Sequence, residues 1–158
     1  VKDQARDGRP LKFLPIEDEY TRECLALEVD RSSTAKDVVE TLKYLFAVRG
    51  APKFIRSDNG PEFIARAIRE HLAKSNVDTL YIEPGSPWEN AYSESFNGRF
   101  RDECLNQHYF LTLEDARFHI ERWRRSYNDD RPHEACAPLT PSEYARTFLS
   151  SPLAQLSA

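Results

Sequence analysis

A short apolar run, Lys53-Phe54-Ile55-Arg56, leads directly into Ser57-Asp58-Asn59-Gly60-Pro61-Glu62-Phe63. The run has strand character, and Gly60 and Pro61 punctuate the chain. Ile64, Ile68 and Leu72 then recur at helical spacing, with Pro61 suited to a first helical turn. A strand that turns straight into a helix demands an α/β arrangement and puts Asp58 at a strand's carboxyl end. In open α/β sheets that edge is where ligands bind. A carboxylate there, with Asn59 and Gly60 shaping a tight turn, suits a hard cation. The competing reading is that Asp58 only caps a turn or helix, as Asp-Asn-Gly often does.

The rest of the chain fits around this junction. Asp7-Gly8 is a hairpin signal. Residues 11–16 read as a strand in which Pro15 marks an edge or a bulge. Residues 23–29 alternate and read as the next strand. If residues 1–2 end an earlier strand, three strands form a hairpin series. Thr34-Ala35-Lys36-Asp37 matches a capping box, and Val38, Leu42, Leu45 and Phe46 keep helical spacing until Gly50. A strand is expected over 79–82, a loop over 84–87, and a largely helical stretch over 88–105 with Phe96, Phe100 and Cys104 as its apolar stripe. Thr112-Leu113-Glu114-Asp115 reads as a second capping box, followed by Ala116, Ile120, Trp123 and Tyr127 on one face. Trp123 and Tyr127 are expected in the core, and His133 in a loop that supports the fold. A last short helix starts at Thr140. Strands first, then alternation, then helices predict one α/β domain with a mixed sheet over 1–149 and a frayed tail at 150–158.

The 158 residues suffice for one hydrophobic core. No apolar run approaches the ~20 residues that a membrane-spanning helix needs. The three cysteines are widely spaced and form no CxxC pair, so neither a zinc site nor a disulfide framework is indicated, and a reducing, intracellular setting fits. A net charge of −4 argues against non-specific nucleic-acid binding by the whole surface. A nucleic-acid site must then be a local basic face or depend on metal ions.

Glu94 is the second carboxylate of interest. It lies on a helix line with Asn90, Asn97 and Arg101, which a solvated helix face also explains. Gly98 follows within Ser95-Phe96-Asn97-Gly98. A mid-helix Gly costs roughly 1 kcal/mol relative to Ala, so it points to close packing or a close ligand approach. Carboxylates from a strand end and a helix can converge on one pair of divalent ions, and two ions ~3.5–4 Å apart serve phosphoryl transfer by clamping the attacking and leaving oxygens. Asn90, Asn97 and Arg101 could then contact phosphate or sugar and position a duplex. Arg122, Arg124, Arg125 and Arg131 form a basic cluster near a helix end, either for DNA phosphates or as a complement to the helix macrodipole.

Thirty-five residues separate Asp58 from Glu94. That spacing, with SDNGPEF around the Asp and NAYSESFNGRFRDECL around the Glu, resembles the catalytic core of insertion-sequence transposases, relatives of retroviral integrases. The resemblance extends to DEYTRECLALEV at 18–29, WRRSYNDDRPH at 123–133 and LTPSEYA at 139–145. It implies a ribonuclease H-like fold, a mixed central sheet flanked by helices, and an Asp, Asp, Glu triad. It further implies DNA cleavage and strand transfer with two Mg²⁺ or Mn²⁺ ions, Asp58 and Glu94 being catalytic metal ligands. Asn59, Asn90, Asn97, Arg101, Arg124 and Arg125 are the expected DNA contacts. Transposon ends and target DNA are the implied partners, with a homo-oligomer as the active form, no membrane, and the bacterial cytoplasm as its place. Sequence-specific recognition is expected from a helix-turn-helix region elsewhere. The family's first Asp, in a segment like Trp-x-x-Asp-Phe-Val, is expected just upstream of Val1, so this stretch would carry two of three carboxylates and be inactive or nearly so by itself. A catalytically inactive transposase-derived DNA-binding or protein-interaction module is the alternative, and a glycosidase using Asp58 and Glu94 as an acid/base pair is a third reading.

Overall fold

The structure is a computed structural model and describes residues 2–57, 60, 65–83, 86 and 91–149. Three antiparallel strands come first: β1 (Lys2–Gln4), β2 (Pro10–Glu17) and β3 (Cys24–Asp30), in the order β1-β2-β3. The β1–β2 turn closes through Gly8 N–H to the Ala5 carbonyl (2.9 Å), with Gly8 at φ 76° where L-residues are disfavoured. Pro15 has no N–H for a second ladder. Among the described residues β1 reaches only as far as Lys12 along β2, and the β2–β3 register shifts at Ile16/Glu17. Of the edge or bulge expected at Pro15, the irregularity is present just beyond it, while β2 is the middle strand of the three.

Helix α1 (Ala35–Arg49) opens with the full reciprocal box. The Thr34 hydroxyl accepts from Asp37 N–H (3.3 Å) and the Asp37 carboxylate accepts from Thr34 N–H (2.8 Å). Gly50 ends it at φ 85°, its N–H donating to the Phe46 carbonyl. Strand β4 (Phe54–Ser57) pairs in parallel with β5 (Asp78–Tyr81), and α2 (Arg66–Lys74) lies between them in sequence. Parallel strands need such a crossover. The expected start of this helix at Pro61 and the apolar position Ile64 lie outside the described residues. Among the described residues the antiparallel and parallel ladders are separate, two pairings of a mixed α/β fold rather than one continuous run of hydrogen bonds.

Helix α3 (Ala91–Glu103) is followed by a short 3-10 turn at Leu105–Gln107, then by α4 (Leu113–Asp129) and α5 (Pro141–Leu149). The predicted box at Thr112 is only half made. Thr112 Oγ1 accepts from Asp115 N–H (3.1 Å), but the Asp115 carboxylate accepts from Leu111 N–H (2.9 Å), one residue before the cap. The complete second box is at α5: Thr140 N–H donates to Glu143 (2.9 Å) and Glu143 N–H to the Thr140 hydroxyl (3.2 Å).

Strand β2 is apolar on both sides, and each side feeds a different core. Leu11 and Phe13, with Leu27 and Val29 of β3, pack on Phe96, Phe100, Ile120, Trp123 and Tyr127 of α3 and α4. Leu14 packs with Val38 and Leu42 of α1, Ile68 and Leu72 of α2, and Val77. The first core is aromatic and meets edge-to-face: Phe13 on Phe100 (5.3 Å between centroids), Phe96 on Trp123 (5.6 Å) and on Tyr127 (5.2 Å). The buried Trp123 satisfies its indole N–H on Glu103 Oε2 at 3.2 Å. Helices therefore cover both faces of the antiparallel sheet, and α3 is fixed by Phe96 and Phe100 with its opposite side outward.

Candidate active site

Ser57 is the last residue of β4 and pairs with Tyr81 at the end of β5; Ile82 N–H continues the ladder onto the Ser57 carbonyl (3.1 Å). Both parallel strands thus end at the same edge, and Asp58 is the next residue in the chain. Asp58 and Asn59 themselves lie outside the described residues, as does Asn90.

Glu94 is exposed, in the first turn of α3, where the helix N-terminus favours a carboxylate. No hydrogen bond or ion pair engages it among the described residues. A free, solvent-facing carboxylate is the donor chemistry a hard divalent cation takes. No cluster of three or more His, Cys, Asp or Glu side chains forms a metal site among the described residues. Two carboxylates early in the chain are already engaged. Asp18 accepts from the N–H groups of Tyr20 (2.8 Å) and Thr21 (3.0 Å) in a turn, and Asp7 accepts from Arg9 N–H and pairs with Arg31.

Arg101 is exposed on the same line of α3 as Glu94. Asn97 is half-buried, and its Oδ1 is shut away from solvent without a hydrogen-bond partner among the described residues. That atom does not face an incoming duplex. Gly98 was expected to mark close packing or ligand approach. A Cβ built there meets nothing within 4 Å, so packing does not require this glycine. The helix surface beside Glu94 is simply bare.

The basic cluster divides. Arg124 turns into the fold: Nη1 donates to the Cys24 carbonyl (2.8 Å), while Nε and Nη2 grip Glu121 (2.7 and 2.9 Å). Its guanidinium ties α4 to the start of β3, which is a structural task and removes it from the candidate DNA face. Arg125 is exposed and shares Glu121 (2.8 Å). Together these guanidiniums hold the Glu121 carboxyl below the usual carboxylate range. Arg131 pairs with Glu103. His133, expected to support the fold, does so: it is buried, and its ring meets Tyr127 edge-on at 4.4 Å. Sequence reasoning missed Asn128, whose buried amide pairs with the backbone of Cys24.

Two comparisons of sequence and one of structure bear on this arrangement. Residues 2–87 match the integrase core domain family, and residues 75–141 match a second family described in the same words. The chain belongs to the integrase core family. It is 43% identical over 148 residues to an uncharacterized 39.2 kDa protein of insertion element IS476 of Xanthomonas euvesicatoria, covering 94% of this chain and 43% of that protein. It is 44% identical over 145 residues to a 31.7 kDa protein of insertion element IS407 of Burkholderia multivorans, covering 92% and 52%. The chain thus spans about half the length of these relatives. Among solved structures it resembles a chain of the simian T-cell lymphotropic virus intasome in complex with PP2A regulatory subunit B56 gamma (TM-score 0.74, 15% identity, 96% of this chain and 52% of that one). It also resembles the HTLV-2 integrase catalytic core domain in complex with magnesium (TM-score 0.65, 14% identity, 91% and 90%). These likenesses establish the retroviral-integrase type of α/β fold, the ribonuclease H-like architecture expected from the sequence.

Proposed function

We propose that this chain is the catalytic core of a DNA transposase that cuts and joins DNA with the help of divalent cations. The observation that carries the reading is Glu94: an exposed carboxylate without a partner among the described residues, on an integrase-family helix, separated by thirty-five residues from an Asp that follows the carboxyl end of β4. Asp58 and Glu94 would hold Mg²⁺ or Mn²⁺, and the bound ions would supply charge stabilisation to the attacking and leaving oxygens. The chain's own residues then have binding tasks. Arg101, beside Glu94, offers a fork of donors to a phosphate, and Arg125 offers a weaker one, since Glu121 shares its charge. Asn59 and Asn90 are proposed to contact DNA next to the two carboxylates. For Asn97 the amide nitrogen is left for such a contact, its oxygen being enclosed. Transposon ends and target DNA are the proposed substrates, a homo-oligomer the proposed working form, and the bacterial cytoplasm the proposed setting. No described helix is long and apolar enough to cross a membrane.

The test is calorimetric titration of Mn²⁺ into the chain and into Asp58→Asn and Glu94→Gln variants. The wild type is expected to bind, with each variant at least about tenfold weaker, which corresponds to ~1.4 kcal/mol. Equal binding by all three sinks the assignment.

A further inference from the structure

About a third of a turn round α3 from Glu94 lies a cleft of about 410 Å³, lined among others by Glu17, Arg22, Tyr92, Ser95, Arg99 and His133. Helical geometry separates the two surfaces: residues 94, 98 and 101 share one face, while 92, 95 and 99 share another. Glu94 is not among the residues that line the cleft, which has its own chemistry.

Two features of Arg22 work against stability, and a third holds its side chain in place. Arg22 has a left-handed backbone at φ 64°, uncommon for a residue with a side chain. Its Nε is buried and has no hydrogen-bond partner among the described residues, although burying an unpaired donor costs on the order of 1–3 kcal/mol. Its guanidinium lies 3.9 Å from the Tyr92 ring centroid, a stacking contact that holds the plane in place without using its N–H groups. Neither Arg22 nor Arg99 forms an ion pair with a carboxylate among the described residues.

Arg99 is aimed by histidine. His133 Nε2–H donates to the Tyr127 carbonyl (3.2 Å), which leaves the Nδ1 lone pair to accept from Arg99 Nη1 (3.3 Å). This tautomer follows from the two partners. Burial, with Arg99 adding to it, holds His133 below its ordinary range, so the ring stays a neutral acceptor. One donor of Arg99 is spent on fixing the side chain, and the others remain available. Glu17, the carboxyl in the cleft, is pushed up to about 8 by burial, so at neutral pH it is mostly an uncharged hydroxyl donor and does not repel an anion. The charged carboxylate on the rim is that of the exposed Glu134.

Two guanidiniums that form no ion pair among the described residues, a serine hydroxyl and an aromatic wall, in a space of ligand size, suit one ligand chemistry. We propose that this cleft binds a phosphoryl group, presented on a nucleotide or as free phosphate, with Arg22 and Arg99 as its principal donors and Ser95 as a third. A phosphoryl group presents its oxygens in a tetrahedral arrangement, out of any one plane, whereas a carboxylate presents two oxygens in a single plane. The inference stands apart from the transposase reading, because it requires neither metal nor Glu94.

The experiment is an amide-resonance titration of the chain by NMR at constant ionic strength, with inorganic phosphate, deoxyadenosine 5′-monophosphate and deoxyadenosine as the three probes. Saturable shifts centred on residues 22, 95 and 99 are expected with the two phosphate-bearing probes and none with the nucleoside. Arg99→Ala is expected to weaken binding at least about tenfold, and Arg99→Lys, which keeps the charge and loses the fork, to weaken it less. Glu94→Gln should leave it unchanged. If the mononucleotide binds at least about tenfold more tightly than phosphate, the group arrives on a nucleotide. Equal affinity assigns the site to free phosphate. Shifts that are absent, or scattered over surface lysines and arginines, or unaffected by both Arg99 variants while these remain folded, overturn the proposal.

Discussion

The side chain of Asn128 makes a two-point pair with the backbone of Cys24: Oδ1 accepts from the Cys24 N–H (2.8 Å) and Nδ2 donates to the Cys24 carbonyl (3.0 Å). The pair is buried and joins α4 to the first residue of β3. Arg124 donates to the same carbonyl, so the start of the strand is held by side chains where a ladder would otherwise continue.

Removing this amide leaves a buried N–H unpaired while Arg124 still satisfies the carbonyl. Asn128→Ala is therefore expected to lower stability by roughly 2–3 kcal/mol, in the range for a lost buried hydrogen bond plus an orphaned donor. Asn128→Asp keeps an acceptor for the Cys24 N–H but buries a charge and turns its second oxygen onto the Cys24 carbonyl, and should cost at least as much as Ala. Urea denaturation with an unchanged slope checks the order of the two variants.

Glu17 adds a pH dependence. Burial raises its carboxyl to about 8 in the folded chain from the ordinary 4.5, against a smaller opposing effect of Arg22. Between those values the native state holds a proton that the unfolded chain has released. Stability conferred by the neutral carboxyl is thus complete below about 4.5, falls as pH rises towards 8 and levels off above it. Glu17→Gln keeps the shape without the charge. Its unfolding free energy should be close to that of the wild type near pH 5 and exceed it near pH 8.5, the difference being on the order of a few kcal/mol. His133 acts at the other end. It is held below its ordinary 6.5 chiefly by burial, so stability is lost as pH falls below that value. A variant curve parallel to the wild type from pH 5 to 8.5 would show that Glu17 does not carry the slope.

Cys24, Cys104 and Cys136 are all buried and free. Burial pushes the Cys104 thiol up to about 12 and raises the other two as well. A thiol reagent acts on the thiolate, so the native chain at pH 8 should react at a small fraction of the rate of a free thiol, and all three cysteines should react once denatured. Fast native labelling of any one would show that its element opens readily.

These residues also mark what could be read before the structure. Alternation along β3, the Thr34 cap and Gly50 stop of α1, and the apolar stripes of α3 and α4 are local patterns, and each appears where expected. Periodicity carries no signal for Asn128, whose partner is 104 residues away and is backbone. The cleft at Arg22, Arg99 and His133 is assembled from a loop, a helix and a second loop, so no window of sequence contains it. Thr112 misled because a carboxylate three residues after a cap can choose the preceding N–H instead. Arg124 and Arg125 are neighbours in sequence, yet one faces the sheet and the other faces water, a distinction that the helical turn makes and composition does not. The carboxylate spacing of Asp58 and Glu94 was legible only as a resemblance. Glu94 is described as an exposed and unpartnered side chain, and Asp58 lies outside the described residues.

Glu94 supports a last prediction, which separates a functional role from a structural one. An exposed side chain without a partner contributes little to folding, so Glu94→Gln is expected to change stability by no more than about 0.5 kcal/mol in metal-free buffer. A cation that binds the folded chain alone stabilises it by mass action, ~2.7 kcal/mol at a concentration one hundred times the dissociation constant. Saturating Mn²⁺ should therefore raise the melting temperature of the wild type, and raise that of Glu94→Gln and Asp58→Asn much less. If Glu94→Gln melts several degrees lower without metal, the carboxylate has a structural partner. If Mn²⁺ stabilises all three chains equally, the cation binds elsewhere, and the pairing of residues 58 and 94 has to be given up.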